Sequence, residues 1–183
     1  MNDSYIALIR GVNVGGHNKL NMADLRAICE TLHWQKVSTY INSGNVVFKT
    51  VKSDAKALGS SLSAAIKSAT GLAVGVIVVS LSELEAVYAY DPFSGSDAAL
   101  KNEGYILFLE DIPAPGDVAA LSFHIFIPEV FIIHGKAIYL LYPDGSGHSK
   151  MTTAFFERKL HMLATSRNRK TLLKLIEMAK SME

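Results

Sequence analysis

Cysteine is almost absent from this chain: Cys29 stands alone among 183 residues. A single thiol excludes an internal disulfide and a cysteine metal cluster, and it fits a reducing compartment. An excess of charge of one sign is missing too. Eighteen Lys and Arg face 17 Asp and Glu, for a net charge of +1, so the chain as a whole does not bind nucleic acid by bulk electrostatics. No apolar run approaches the ~20 residues of a membrane-spanning helix. Met1-Asn2-Asp3-Ser4 is not the basic start of a secretory leader. The histidines, at 17, 33, 124, 134, 148 and 161, show no H-x-x-x-H spacing, which argues against a zinc site. There is no G-x-S-x-G elbow, and paired carboxylates do not stand out. No metal or cofactor is expected, no membrane partner either, and the chain reads as cytoplasmic.

What is present is a globular composition, 49% apolar and 19% charged, with ample length for a buried core. The most distinctive stretch is Arg10-Gly11-Val12-Asn13-Val14-Gly15-Gly16-His17-Asn18-Lys19. It follows a strand-like run, Tyr5–Ile9, and precedes a helix with Asn21 as N-cap and Met22, Leu25, Cys29 and Leu32 on one face. On that face Cys29 reads as a small buried hydrophobe. Lys36–Ile41 and Val46–Phe48 read as a hairpin around Asn42-Ser43-Gly44-Asn45. A helix over 53–70 ends at Gly71, and Ala73–Val79 is a fourth strand.

This βαββαβ order is the ferredoxin-like split unit. It predicts one sheet in the order 4-1-3-2, with both faces covered. Strands one and two then run parallel, so the glycine loop and the hairpin turn lie at one sheet end. Beyond a short helix over 81–90, Asp91–Asp97 reads as a linker. It divides a ferredoxin-like α+β subdomain, 1–95, from a second, smaller α+β subdomain, 96–183. In that second half the expected strands are Tyr105–Leu109, Phe123–Ile127, Val130–Ile133 and Ala137–Tyr142, with a short helix over 117–121. Two helices, over about 150–163 and 169–182, end the chain, the first capped by Ser149.

The runs Leu8–Gly16 with Asn18-Lys19, and Thr39–Phe48, together with Tyr142-Pro143-Asp144-Gly145, Ser149-Lys150 and Arg167-Asn168, resemble the signature of a bacterial family, domain of unknown function 1697. The resemblance implies a cytoplasmic, two-part α+β fold and lends no reaction. The chain departs from the family where an aromatic residue usually follows the Arg-Asn pair; here Arg169 stands.

Candidate chemistry centres on the two loops. The spacing of Gly11, Gly15 and Gly16 is wrong for a dinucleotide fingerprint, and Gly145–Lys150 fails the P-loop pattern. A looser anion site is better founded, because glycine-rich backbone offers N–H groups and the next helix adds its positive end. The bland reading of the same loop is an unusual shape held by its own asparagines. The expected ligand-binding residues are Arg10, Asn13, Gly15, Gly16, Lys19, Asn42, Ser43, Asn45, Lys150 and Arg167, and the expected partner is a small anionic or phosphorylated ligand. Two alternatives stand beside it. The acid-free segment from Arg158 to Lys174 could serve nucleic acid, and an enzyme acting on an anionic substrate could use Ser43, His17 or Lys150.

Overall fold

A computed structural model of the chain describes residues 2–95, 104–121 and 126–182. Ser96 and Asp97 of the expected linker, and Phe123, His124 and Ile125 of one expected strand, lie outside the described residues. The elements run β1 (Asn2–Ile9), α1 (Met22–Thr31), β2 (Gln35–Tyr40), β3 (Asn45–Val51), α2 (Ala55–Thr70), β4 (Val76–Ser80) and α3 (Leu81–Ala89). They continue with β5 (Tyr105–Leu109), α4 (Pro115–Leu121), β6 (Val130–His134), β7 (Ala137–Leu141), α5 (Thr153–Leu160), β8 (Ala164–Asn168) and α6 (Arg169–Lys180). The chain divides into two compact units, Met1–Val87 with Leu172–Glu183, and Tyr88–Thr171.

The first unit carries a four-stranded sheet in the order β2-β3-β1-β4. β1 is antiparallel to β3 and β4, and β2 is antiparallel to β3, so β1 and β2 run parallel. This is the expected 4-1-3-2 order. Alternate residues of a strand point to opposite faces, and β1 is buried on both. Tyr5, Ala7 and Ile9 join Val46, Phe48, Val76 and Val78 against Leu25, Ile28 and Cys29 of α1 and Leu58, Leu62 and Ile66 of α2. Trp34 stacks on Phe48 at 3.7 Å between ring centroids. On the opposite face Ile6, Leu8, Val47 and Ile77 are buried as well. Lys36 and Lys49 donate to the Met182 carbonyl at 2.5 and 3.3 Å, tying the chain just past α6 to β2 and β3. The caps are local chemistry. Asn21 accepts from the Ala23 N–H at the start of α1, and Asp54 accepts from Ala57 at the start of α2. Gly71 ends α2 in the left-handed conformation.

The second unit repeats this topology. Its sheet runs β6-β7-β5-β8, with β5 antiparallel to β7 and β8, and β6 antiparallel to β7. Element for element, β5-α4-β6-β7-α5-β8 matches β1-α1-β2-β3-α2-β4. The strand β8, between the last two helices, was not expected from the sequence. Its core gathers Leu107, Leu109, Ile138, Leu140 and Ala164 against Leu121, Phe156 and Leu160, with Phe126, Phe131, Phe155 and Phe156 in edge-to-face contacts.

The expected cap of the first late helix is corrected here. α5 begins at Thr153, and Thr152 is its N-cap, accepting from Phe155. Ser149 instead donates to a Glu129 carboxylate oxygen at 2.7 Å and accepts the Met151 N–H at 2.9 Å. A side chain engaged on both sides in the approach to a helix is not free to cap it.

Candidate functional site

The glycine loop and the hairpin turn meet at one end of the first sheet. The Ile9 N–H donates to the Gly44 carbonyl at 2.8 Å, and the Arg10 N–H donates to the Gly75 carbonyl at 2.9 Å. Gly44 has φ +70°, and a Cβ there would stand 2.6 Å from Val12 Cγ2 and 2.8 Å from Ile9 Cβ. The two loops touch so closely that only glycine fits.

The loop itself is a miniature hairpin. Val14 and His17 form an isolated antiparallel bridge, closed by His17 N–H to Val14 carbonyl at 3.0 Å. The residues between them, Gly15 and Gly16, have φ +58° and +80°, the positive pair that a type I′ turn requires. Asn13 N–H donates to the Asn18 carbonyl at 3.2 Å, one step further down the stem. Asparagine side chains then clamp the base. Asn13 Nδ2 donates to the carbonyls of Leu20 (2.9 Å) and Asn42 (2.7 Å), while its Oδ1 accepts from the Leu20 N–H (2.9 Å). Asn18 Nδ2 donates to the Gly11 carbonyl at 3.0 Å. Asn13 and Asn18 both have positive φ, which asparagine tolerates better than most residues.

The expected residues therefore divide by task. Asn13 is occupied in holding the loop, and Asn45 is fully buried with Nδ2 on the Tyr40 carbonyl at 3.2 Å. Arg10 and Ser43 are half-buried; Gly15, Gly16, Lys19 and Asn42 are exposed. The Gly15 and Gly16 N–H groups, the Lys19 ammonium and the His17 imidazole have no partner among the described residues. No acid occurs from Arg10 through Asn21 or from Ile41 through Asn45.

Lys150 and Arg167 belong to the second unit. Lys150 is exposed ahead of α5. Arg167 is buried in β8, with Nη1 donating to Thr165 Oγ1 at 2.9 Å and to the Ser166 carbonyl at 2.7 Å. Burial pulls its guanidinium down to about 10. Other cations late in the chain are also engaged. Arg169 lies over the Tyr88 ring at 4.6 Å, donates to the Tyr88 carbonyl at 2.9 Å and approaches Asp91 at 3.6 Å. The planar guanidinium stacks on that ring. Lys174 pairs with Glu177 and Lys180 with Glu85. The bland reading had the loop held by its own asparagines, but Asn18, which clamps the Gly11 carbonyl, was not among the expected site residues; an asparagine two residues past Gly16 was the available signal. Among the described residues there is no cluster of three or more His, Cys, Asp or Glu placed to hold a metal ion, and no helix long and apolar enough to cross a membrane.

Two βαββαβ sheets, one with an enlarged basic loop, define a mixed α+β protein. The chain belongs to the family "Protein of unknown function (DUF1697)", whose sequence profile matches residues 1–139. It is similar to the solved structure of the conserved bacterial protein SP0830 from Streptococcus pneumoniae, with 27% identity over 98% of this chain and 99% of that one and a TM-score of 0.74. A protein from Galdieria sulphuraria titled as unknown aligns over 100% of this chain and 94% of its own at 9% identity and a TM-score of 0.27. No curated protein matches the chain.

Proposed function

We propose that this protein binds a small phosphate-bearing anion at the tip of the 10–21 loop, in the cytoplasm. The observation that carries the reading is an internal comparison between its two halves. The connection from first strand to first helix takes residues 10–21 in the first unit and only 110–114 in the second. Around that connection the backbone pattern is the same. Leu109 N–H donates to the Lys136 carbonyl (2.9 Å) and Glu110 N–H to the Leu163 carbonyl (3.0 Å), as Ile9 and Arg10 donate to Gly44 and Gly75. The same topology closes in the second unit without the extra residues, and beyond Val12 and Leu20, which the loop buries in the core, what it adds is exposed N–H groups and the exposed Lys19 ammonium. Phosphate is recognised by such donors. The engagement of Arg167, Arg169, Lys174 and Lys180 within the chain argues for this reading over nucleic-acid binding along the C-terminal segment.

The test is a thermal-shift screen with inorganic phosphate, nucleotides, sugar phosphates and short oligonucleotides. A ligand at 100 times its Kd should stabilise by about 2.7 kcal/mol. Lys19→Ala should abolish most of the shift from a small phosphate. A shift produced only by oligonucleotides and unchanged in Lys19→Ala overturns the proposal.

A further inference from the structure

We infer that the ligand of this loop is a phosphate monoester with a compact apolar body, which the loop holds against Val14 and Ile41. The inference rests on the anion-binding reading above and names the other half of the molecule bound.

Ile41 is the observation that carries it. It has φ +47°, a conformation that costs an L-residue roughly 1–2 kcal/mol and is an outlier for a β-branched one. Glycine or asparagine would take that position with far less strain, and Asn42 is the next residue. The side chain gains little within the chain in return, since Ile41 is 51% exposed. Val14, which opens the two-glycine turn, is 65% exposed. The residues beside them, Asn13 and Asn42, are joined by the 2.7 Å hydrogen bond, so Val14 and Ile41 flank the junction of the two loops, from which the turn of Gly15 and Gly16 projects.

A strained, exposed isoleucine beside an acid-free basic loop is a poor surface for water and a good one for a ligand with two unlike ends. The cations and amides take the phosphate. The two branched side chains take an apolar group, whose burial drives binding in proportion to its area. Inorganic phosphate and glycerol phosphate can satisfy only the first part. Phenyl phosphate satisfies both. A phospholipid headgroup shares this chemistry, but the inference commits to a soluble monoester.

Calorimetry separates these cases, using inorganic phosphate, glycerol phosphate and phenyl phosphate at one ionic strength. The parent protein is compared with the variant carrying Val14→Ser and Ile41→Asn. The asparagine keeps the left-handed turn accessible. Phenyl phosphate is expected to bind the parent about tenfold more tightly than glycerol phosphate. In the double variant that advantage shrinks below about twofold while glycerol phosphate binding is unchanged. Equal affinity of the parent for the two esters overturns the apolar half and leaves the anion site standing. Failure of all three to bind overturns the anion reading and this inference with it. Binding to vesicles containing phosphatidic acid, lost in the double variant, with no preference for phenyl phosphate in solution, overturns the soluble ligand and assigns the tip to a membrane surface.

Discussion

Asn13 Nδ2 lies 2.7 Å from the backbone carbonyl of Asn42, across 29 residues of sequence, and this bond joins the two loops. It works because β1 and β2 run parallel on either side of β3, so chain leaving either strand emerges at the same sheet end. Asn13→Ala removes three side-chain hydrogen bonds and leaves alanine at φ +56°. The expected loss is about 2–3 kcal/mol in urea denaturation, given ~1 kcal/mol for each net hydrogen bond. Asn13→Gly relieves the backbone and should cost less. If alanine proves no worse than glycine, the strain part of this account is wrong.

Glycine to alanine inside a helix normally stabilises, by roughly 1 kcal/mol. At position 59 the sign should reverse. Gly59 lies within α2, and a Cβ there would stand 2.7 Å from the Val76 carbonyl oxygen. That atom belongs to β4 backbone and cannot turn aside like a side chain. Gly59→Ala should lower the unfolding free energy by about 1–3 kcal/mol, the usual range for overpacking. A rise in the denaturation midpoint would show that helix and sheet separate at little cost.

Cys29 is fully buried in the first core, and burial first, then the nearby Glu30 carboxylate, pushes its thiol from an ordinary 9.0 to about 12. The native protein should therefore resist thiol reagents that label the urea-unfolded chain at once. The linkage has a definite sign. In the folded state the thiol stays protonated to about 12, whereas the unfolded thiol ionises near 9.0. The contribution to stability is complete below pH 9 and is lost as pH rises from 9 toward 12. Comparing parent and Cys29→Ala across that window isolates the group: the parent's stability should fall more steeply with pH. Parallel curves would mean that the thiol ionises alike in both states.

Much of this architecture could be read in advance, and the parts that could not have physical causes. The first sheet was legible because apolar, β-branched runs alternate with segments of helical period. β8 was not, because Ala164-Thr165-Ser166-Arg167-Asn168 is a polar run whose strand character comes from its pairing with β5. Without β8, the duplicated topology of the two halves stayed hidden, since no sequence period marks it. The convergence of the two loops followed from strand direction alone. Which of their asparagines hold the fold and which face solvent did not, because both tasks select the same residue type. Arg167 shows the same limit: a cation in a polar stretch reads as exposed, and here it is buried against Thr165 and Ser166.

Arg169 offers a test of substitution within one contact. Its guanidinium lies over the Tyr88 ring and donates to the Tyr88 carbonyl. The ion pair with Asp91, at 3.6 Å and partly exposed, adds little after solvent screening. Arg169→Lys keeps the charge and loses the planar stack, so it should destabilise nearly as much as Arg169→Ala, by about 1 kcal/mol. Arg169→Phe can stack on Tyr88 but cannot donate, and should fall between them and the parent in thermal unfolding. Full stability in the lysine variant would mean that charge alone matters there.

Ile41 tests the link between strain and binding. A residue kept in a strained conformation should become more stable when the strain is removed, unless its side chain compensates elsewhere in the fold. With Ile41 51% exposed at φ +47°, the compensation within the chain is small. Ile41→Asn should raise the unfolding free energy by about 1 kcal/mol, from the relief of left-handed strain less the loss of a half-buried side chain. The same substitution should weaken binding of phenyl phosphate. Gain of stability with loss of affinity is the mark of a position held for its ligand rather than for the fold. Lower stability together with unchanged affinity would give Ile41 a purely structural part in the turn, and Val14 would be left to carry the apolar contact.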